Sequence, residues 1–172
     1  MLRNSITLLA LALLAFPATA QDANMTETVK GLVKKVMNAT VEGNYRLVLD
    51  MTHPKVLEMM GGKEKAIQEV EKSMKMIKEQ GFTFKLQEIG EPAIVKGDKD
   101  HFSATSFTLI MTGRGKKITA KSAIIGVSSD AGKSWKFINL DGKGEAGART
   151  IIPDLPNTLV IPKQEQKVED NN

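Results

Sequence analysis

The stretch Lys63–Gln87, KEKAIQEVEKSMKMIKEQGFTFKLQ, contains the change of hydrophobic period that decides the fold. In its first part the apolar residues recur at the spacing of an amphipathic helix, as Ile67, Val70, Met74 and Ile77. Gly81 is a natural helix stop. Beyond it, apolar and polar residues alternate as in a half-buried strand, with Phe82, Phe84 and Leu86 on one face. The stretch therefore predicts a helix over residues 63–80 that is followed directly by a strand.

Helical patterns also fill the sequence before this stretch. A first helix is predicted over Asn24–Thr40, and Gly43 and Asn44 interrupt the pattern. A short helix follows over Tyr45–Met51. Another short helix is predicted from Pro54, a residue that suits the first helical turn, to the glycines at 61 and 62.

Strand patterns fill the sequence after it. Four further strands are predicted, at Pro92–Lys96, His101–Thr112, Lys117–Ser128 and Ser134–Leu140. Because the helices come first and the strands follow, we expect an α+β fold, in which the helices pack on one face of an antiparallel sheet.

The C-terminal region has weaker patterns. Residues Asp141–Ala148 are rich in glycine, and Ile151–Pro162 carry three prolines among aliphatic residues, which predicts extended chain lying along the domain. The polar residues 163–172 are predicted to be a disordered tail. Residues 21–162 are thus expected to form one domain.

The N-terminus has the layout of a secretory signal peptide over residues 1–20. Arg3 supplies the positive charge, Ile6–Phe16 form the apolar stretch, and Ala18-Thr19-Ala20 matches a cleavage site. We therefore expect an exported protein, periplasmic or secreted, of 152 mature residues out of 172. A domain of this length can fold without disulfides, and the chain has no cysteine.

Composition argues against two classes of partner. The formal net charge is +4, from 24 basic and 20 acidic residues that are interleaved, and the chain has six Phe, one Trp and one Tyr. Nucleic-acid binding favours a basic stripe with aromatic residues beside it, so we expect no nucleic-acid partner. No second long apolar segment follows the signal peptide, so we expect no membrane span.

The most literal motif is Ser128–Trp135, SSDAGKSW. It resembles the Asp-box of sialidases and related β-propellers, a hairpin turn in which the Asp accepts backbone N–H groups, the Gly permits a positive φ and the Trp packs beneath. A propeller needs several copies at regular spacing, and the chain has one. We therefore interpret Asp130 and Trp135 as structural residues.

Candidates for site chemistry cluster near the second predicted helix. His53 lies near Tyr45 and Asp50, and a histidine beside a carboxylate can act as a general base or as a pH-sensitive ligand contact. The alternative is that His53 or Thr52 caps the helix that begins at Pro54. We expect no metal site and no cofactor, because the second histidine, His101, is distant in sequence.

The order of elements resembles the nuclear transport factor and ketosteroid isomerase superfamily, in particular its small exported bacterial members. The likeness covers Met25–Leu140. It is carried by Tyr45–Asp50 (YRLVLD), His53-Pro54, Gly61–Glu64 (GGKE) and Trp135–Ile138 (WKFI). It implies a cone, in which helices lean on a strongly curved antiparallel sheet and enclose an apolar pocket.

This resemblance also implies candidate functions. Ketosteroid isomerases use an aspartate base and an oxyanion hole made by a tyrosine and a protonated aspartate. Tyr45 and Asp50 could supply part of that set, but no strand residue matches the remaining groups. Members of the superfamily often pair through the open face of the sheet.

We therefore expect an exported, non-enzymatic domain that binds a small apolar ligand or a protein partner, with a tentative ligand pocket at Tyr45, Asp50 and His53 and a possible homodimer through the sheet face. The alternative is a lyase or isomerase that uses Asp50 or His53 as the base and Tyr45 as the hydrogen-bond donor.

Overall fold

A computed structural model describes residues 20–140 and 142–171. The predicted signal peptide therefore lies outside the described residues, apart from Ala20. The helices in the described part are α1 (Ala20–Glu42), α2 (Tyr45–Asp50), α3 (Pro54–Met59), α4 (Lys63–Glu79) and α5 (Gly144–Ile151). The strands are β1 (Thr83–Ile89), β2 (Ala93–Lys96), β3 (His101–Gly113), β4 (Lys116–Ser128), β5 (Lys136–Asn139) and β6 (Glu165–Asp170). The α+β fold class is confirmed, and so is the change from helix to strand at Gly81.

A long hairpin organises the sheet. β3 and β4 pair antiparallel along their whole length, from His101 opposite Ser128 to Gly113 opposite Lys116. Two short strands flank β3, with β2 beside its first half and β1 beside its second half. Two more flank β4, with β6 beside its first half and β5 beside its second half. All of these pairings are antiparallel.

α1 covers one side of the sheet. The apolar stripe predicted for this helix, Val29, Val33 and Val36, is buried, with each residue no more than 5% exposed. It packs in one core with sheet residues that alternate along their strands, including Phe107, Ile124 and Phe137. Full burial of each such aliphatic side chain stabilises the fold by about 1.5–3 kcal/mol, so α1 and this side of the sheet hold each other in place.

The other side of the sheet is covered by C-terminal residues. Ile125 and Ile138 lie in a second core together with Ala148 and Ile151 of α5 and three apolar residues that follow it, Ile152, Leu155 and Leu159. The irregular segment after α5 thus lies along the domain, as predicted. The glycine-rich residues before it were not predicted to be helical, yet α5 forms there because Ala148 and Ile151 face this core.

The prediction of a disordered tail over residues 163–172 is wrong for Glu165–Asp170. These residues form β6, which occupies the half of the β4 edge that β5 leaves open. The pairing sets opposite charges against each other, with Lys117 opposite Glu169 and Lys121 opposite Glu165. Lys116 also forms an ion pair with Asp170.

The remaining helices form a smaller layer. Leu49 of α2 is buried against Ala66 and Ile67 of α4, and α2 and α3 join the sheet through a bridge between Thr52 and Phe137. Farther along α4, residues Val70, Met74 and Ile77 are only half-buried. None of the helices within the described residues has both the length and the apolarity needed to cross a bilayer.

Candidate functional site

Tyr45 is positioned by a tight turn between α1 and α2. Gly43 has a φ of +86°, a conformation that residues with a side chain rarely adopt. The side-chain oxygen of Asn44 then accepts a hydrogen bond from the Leu47 N–H at 3.3 Å and caps α2. Tyr45 is the first residue of that helix and is only 7% exposed.

The hydroxyl of Tyr45 is buried and has no hydrogen-bond partner among the described residues. Burial raises the pKa of this hydroxyl, and the negative charge of Glu71 raises it further. The group is therefore protonated at neutral pH and can donate a hydrogen bond. A buried polar group without a partner costs about 1–3 kcal/mol, and an acceptor brought by a ligand would remove that cost.

Tyr45 is one of the residues that line a surface cleft of about 440 Å³ between the α1–α2 turn and α4, although its hydroxyl oxygen is itself shielded from solvent. Gly43 and Tyr45 form one wall, and α4 supplies the other with Glu71, Lys75, Lys78 and Glu79. A Cβ atom at Gly43 would lie 3.3 Å from Lys78 Nζ and 3.6 Å from the Tyr45 hydroxyl oxygen. Gly43 therefore packs close to both groups, and a larger residue at this position would crowd them. We call these six residues the Tyr45 cleft.

Asp50 lies at the other end of α2 and faces solvent. Its carboxylate forms an ion pair with Lys63, and the side chain is 58% exposed. The hydrogen bond from Lys63 lowers the pKa of the Asp50 carboxyl. Five helical positions separate Asp50 from Tyr45, so the two side chains point about 140° apart around the axis.

His53 caps α3, which is the structural alternative considered from the sequence. Its Nδ1 accepts a hydrogen bond from the Lys55 N–H at 3.3 Å, while its own backbone N–H donates to the Phe137 carbonyl at 2.9 Å. Burial lowers the pKa of the imidazole, and the nearby Lys55 ammonium lowers it further. The uncharged ring is therefore favoured, which leaves Nδ1 free to accept the capping bond.

The structure does not bring the three predicted site residues together. Tyr45 lies in a cleft, Asp50 in an exposed ion pair and His53 at a helix cap. Two charged residues that share the cleft with Tyr45, Glu71 and Lys78, come from α4. Sequence reasoning did not identify them as site residues. They share one helix face at i and i+7, but the sequence does not show that this face lies opposite Tyr45.

The Ser128–Trp135 turn has the structural role predicted for it. Asp130 accepts three hydrogen bonds, from the Ser128 hydroxyl at 2.8 Å, the Ser134 N–H at 2.8 Å and the Ser134 hydroxyl at 2.6 Å. These bonds lower the pKa of Asp130 to about 2. Trp135 is buried beneath the turn, and its indole N–H donates to the Gly132 carbonyl at 3.1 Å. All of these groups are used within the turn.

An apolar row crosses the half of the sheet farther from that turn. Four residues are direct cross-strand neighbours in β1, β3, β4 and β6: Phe84, Met111, Ile118 and Val168. Val168 is 55% exposed and the other three are half-buried. Strand alternation places the row on the side of the sheet that α1 covers, but the row is not part of the buried core.

Comparison with known proteins identifies no relative. No protein-family model, no curated protein and no solved structure matches this chain. The resemblance to the nuclear transport factor and ketosteroid isomerase superfamily therefore stays a hypothesis based on the order of elements and on short sequence phrases.

Proposed function

We propose that this protein is an exported, non-enzymatic domain that binds a small, largely apolar ligand in the Tyr45 cleft. The observation that carries the proposal is the Tyr45 hydroxyl, which is buried, protonated and without a partner among the described residues. The cleft volume of about 440 Å³ lies within the usual range for small-molecule sites, roughly 300–1,000 Å³. Export rests on the signal-peptide pattern of residues 1–20.

Binding accounts for these features better than the lyase or isomerase alternative. That alternative needs a base and the Tyr45 donor within hydrogen-bond reach of one substrate atom. Asp50 is engaged with Lys63 at the surface, and His53 uses Nδ1 to cap α3. Their positions favour a binding site, in which Tyr45 orients a ligand through one hydrogen bond.

The single tyrosine of the chain permits a direct test. Mature protein labelled with ring carbon-13 tyrosine would give NMR signals from Tyr45 alone. They would be followed while lipids, sterols and small metabolites are added. We expect at least one compound to move these signals and to raise the unfolding temperature.

Two variants make the test specific to the cleft. Tyr45→Phe keeps the ring and removes only the hydroxyl, so we expect calorimetry to show about tenfold weaker binding, the cost of one hydrogen bond. Asp50→Asn serves as the control and should bind like the wild type. Signals that no compound moves, or equal binding by Tyr45→Phe, would refute the proposal.

A specific observation also favours self-association. The apolar row leaves Val168 more than half exposed beside the edge strand β6, and exposed apolar surface of this kind commonly marks an interface. We propose that two copies pair through this row. The homodimer expected from the family resemblance would instead use the open face of the sheet, whereas the row lies on the side that α1 covers. The polar character of the other side in this half of the sheet, with Thr112, Thr119 and Lys121, supports the choice of the row.

Sedimentation velocity tests this pairing. Val168→Lys places a charge in the row and should weaken dimerisation at least about tenfold, as expected for a central interface residue. Val160→Lys is the matched control, because Val160 is 76% exposed and lies outside the row. A wild-type protein that stays monomeric at high micromolar concentration would exclude the dimer.

A further inference from the structure

The outer edge of β6 is unpaired within the described residues. β6 pairs with β4 along one edge, and none of the other described strands pairs with its second edge. Five of its six residues are exposed, so this second edge is accessible. An open edge presents backbone N–H and C=O groups that can pair with another chain. The apolar row ends at the same edge, with Val168.

The register of β6 on β4 shows which backbone groups face the open edge. The Asn171 N–H donates to the Gly115 carbonyl at 2.8 Å, in the register of the β4–β6 ladder. In an antiparallel ladder, residues that exchange hydrogen bonds with the neighbouring strand alternate with residues whose N–H and C=O point away from it. The outward groups therefore belong to Gln166, Val168 and Asp170, with Val168 in the middle.

The charges of β6 make the strand complementary to a second copy of itself. When two β6 strands pair antiparallel about a two-fold axis at Val168, each Lys167 lies directly opposite Glu169 of the second copy. Opposite charges at such cross-strand positions stabilise a sheet, and like charges destabilise it. An axis at Lys167 would set lysine against lysine, and an axis at Glu169 would set glutamate against glutamate. The charges thus favour pairing about Val168.

The apolar row favours the same centre. Pairing about Val168 sets the two Val168 side chains opposite each other on one side of the sheet, so the rows of the two copies join end to end. An axis at Gln166 would also pair opposite charges, but it would set Val168 opposite Gln164, which lies outside β6. Charge and apolar surface therefore agree only for the axis at Val168.

Building on the self-association proposed above, we propose that two copies pair through the open edges of β6, antiparallel and centred on Val168. The two six-stranded sheets become one continuous sheet. About six backbone hydrogen bonds form, two between the Val168 residues and two at each pairing of Gln166 with Asp170. On the other side of the sheet, the ion pair that joins Lys167 and Glu169 within each strand at 2.9 Å gains its counterparts between strands.

Complementary charge variants test this pairing. Lys167→Glu sets glutamate opposite glutamate between copies, and Glu169→Lys sets lysine opposite lysine. In sedimentation velocity, each variant alone should therefore dimerise at least about tenfold more weakly than the wild type. Mixed one to one, they restore both opposite-charge pairs and should form a dimer of wild-type affinity. Each variant has the same like charges within its own β6 whether alone or mixed, so the gain on mixing reports the contact between copies.

Cross-linking tests the register independently, because the chain has no cysteine. Val168→Cys should form a disulfide with its own copy, since Cα atoms in a hydrogen-bonded pair lie about 5.5 Å apart. Lys167→Cys should cross-link to Glu169→Cys in a mixture and much more slowly to itself, because diagonal positions lie about 7–8 Å apart. Val160→Cys, at a 76% exposed position outside β6, gives the rate of random collision.

The outcomes separate the edge pairing from the self-association on which it builds. If the wild type dimerises and Val168→Lys weakens the dimer, but mixing the two charge variants restores nothing, the row mediates another geometry and the edge pairing is overturned. If either charge variant alone dimerises like the wild type, Lys167 does not face Glu169 of the second copy and the register is wrong. If the wild type stays monomeric at high micromolar concentration, both proposals fail together.

Discussion

The Ser128–Trp135 turn and the Tyr45 cleft differ in whether their polar groups form hydrogen bonds within the protein. In the turn, the Asp130 carboxylate, the Ser128 hydroxyl and the Trp135 indole all form hydrogen bonds with their neighbours. In the cleft, the one buried hydroxyl has no partner among the described residues. A closed network stabilises the fold, whereas an open one costs stability and leaves a group free for a ligand. The comparison therefore distinguishes a structural motif from a candidate binding site.

The largest expected effect is loss of the aromatic residue beneath the turn. Trp135 is 3% exposed, so Trp135→Ala should lower the free energy of unfolding by about 3–5 kcal/mol. Urea denaturation followed by circular dichroism measures the change. Trp135→Phe keeps most of the buried area and should lose much less. A loss below about 1 kcal/mol in Trp135→Ala would mean that the turn is not a structural anchor.

The next largest effect on stability is expected from removing the Ser128 hydroxyl, which joins the two halves of the turn. Ser128 is 1% exposed, and its hydroxyl oxygen accepts a hydrogen bond from the Gly132 N–H at 2.8 Å while donating to Asp130. Ser128→Ala leaves the Gly132 N–H without this acceptor and removes one of the three hydrogen bonds to Asp130, so it should cost about 1–3 kcal/mol. Ser129→Ala, at the exposed neighbouring position, is the control and should be close to neutral.

A smaller effect on stability is expected when the pH is lowered. Hydrogen bonds lower the pKa of Asp130 from 3.8 to about 2, so the folded state binds fewer protons than the unfolded chain across this range. The stability that Asp130 contributes is present above pH 3.8 and is lost as the pH falls towards 2. Asp130→Asn should remove this part of the acid dependence of the melting temperature. An unchanged acid profile in Asp130→Asn would contradict the assignment.

The smallest effect on stability is expected from Tyr45→Phe in the cleft. Unlike the variants of the turn, it should not destabilise the fold. Tyr45→Phe removes a buried hydroxyl that has no partner among the described residues. The free energy of unfolding should therefore stay the same or rise, by up to about 1 kcal/mol. Because Ser128→Ala deletes a hydroxyl as well, the pair of variants isolates the effect of hydrogen bonding. A clear loss of stability in Tyr45→Phe would show that its hydroxyl is bonded within the fold.

Alkaline titration tests independently whether the Tyr45 hydroxyl is buried. The pKa of Tyr45 is raised above 10.0, so the folded state holds its proton longer than the unfolded chain. Its contribution to stability is complete below pH 10 and is lost as the pH rises through the folded pKa. Ultraviolet absorbance of the single tyrosine reports the midpoint directly. A midpoint at or below 10.0 would mean that the hydroxyl is solvated.

Periodicity was sufficient to predict the elements that bury one face. The helix over Lys63–Glu79, the strand that follows Gly81 and the long strands β3 and β4 all follow from apolar spacing. The motif at residues 128–135 also predicted its own turn, because all of its contacts lie within eight residues of sequence.

Elements that depend on distant partners were missed. β6 has one apolar residue, Val168, and its composition is that of a disordered tail. It forms a strand because half of the β4 edge is free and carries lysines opposite its acidic residues. α5 contains Gly144 and Gly147, which disfavour a helix, and it forms where Ala148 and Ile151 face the second core.

The candidate site shows the same limit. Tyr45 could be selected from the sequence, because it is the only tyrosine and lies beside a glycine turn. Glu71 and Lys78, which share the cleft with Tyr45, follow it by 26 and 33 residues in the sequence. Only the packing of α4 against α2 brings them close to it. Asp50 and His53 are nearer in sequence but lie elsewhere, because Asp50 is on a different face of α2 and His53 lies beyond α2 as the N-cap of α3.

The shared edge of β4 also fixes the order in which the chain can finish its structure during synthesis. Backbone groups of Lys116–Lys121 on that edge pair with Glu165–Asp170, which are synthesised well after the β3–β4 hairpin is complete. A nascent chain that lacks them has an open strand edge beside a completed hairpin, and such edges readily pair with other chains. A truncation before Glu165 should therefore be interpreted as the loss of a sheet strand.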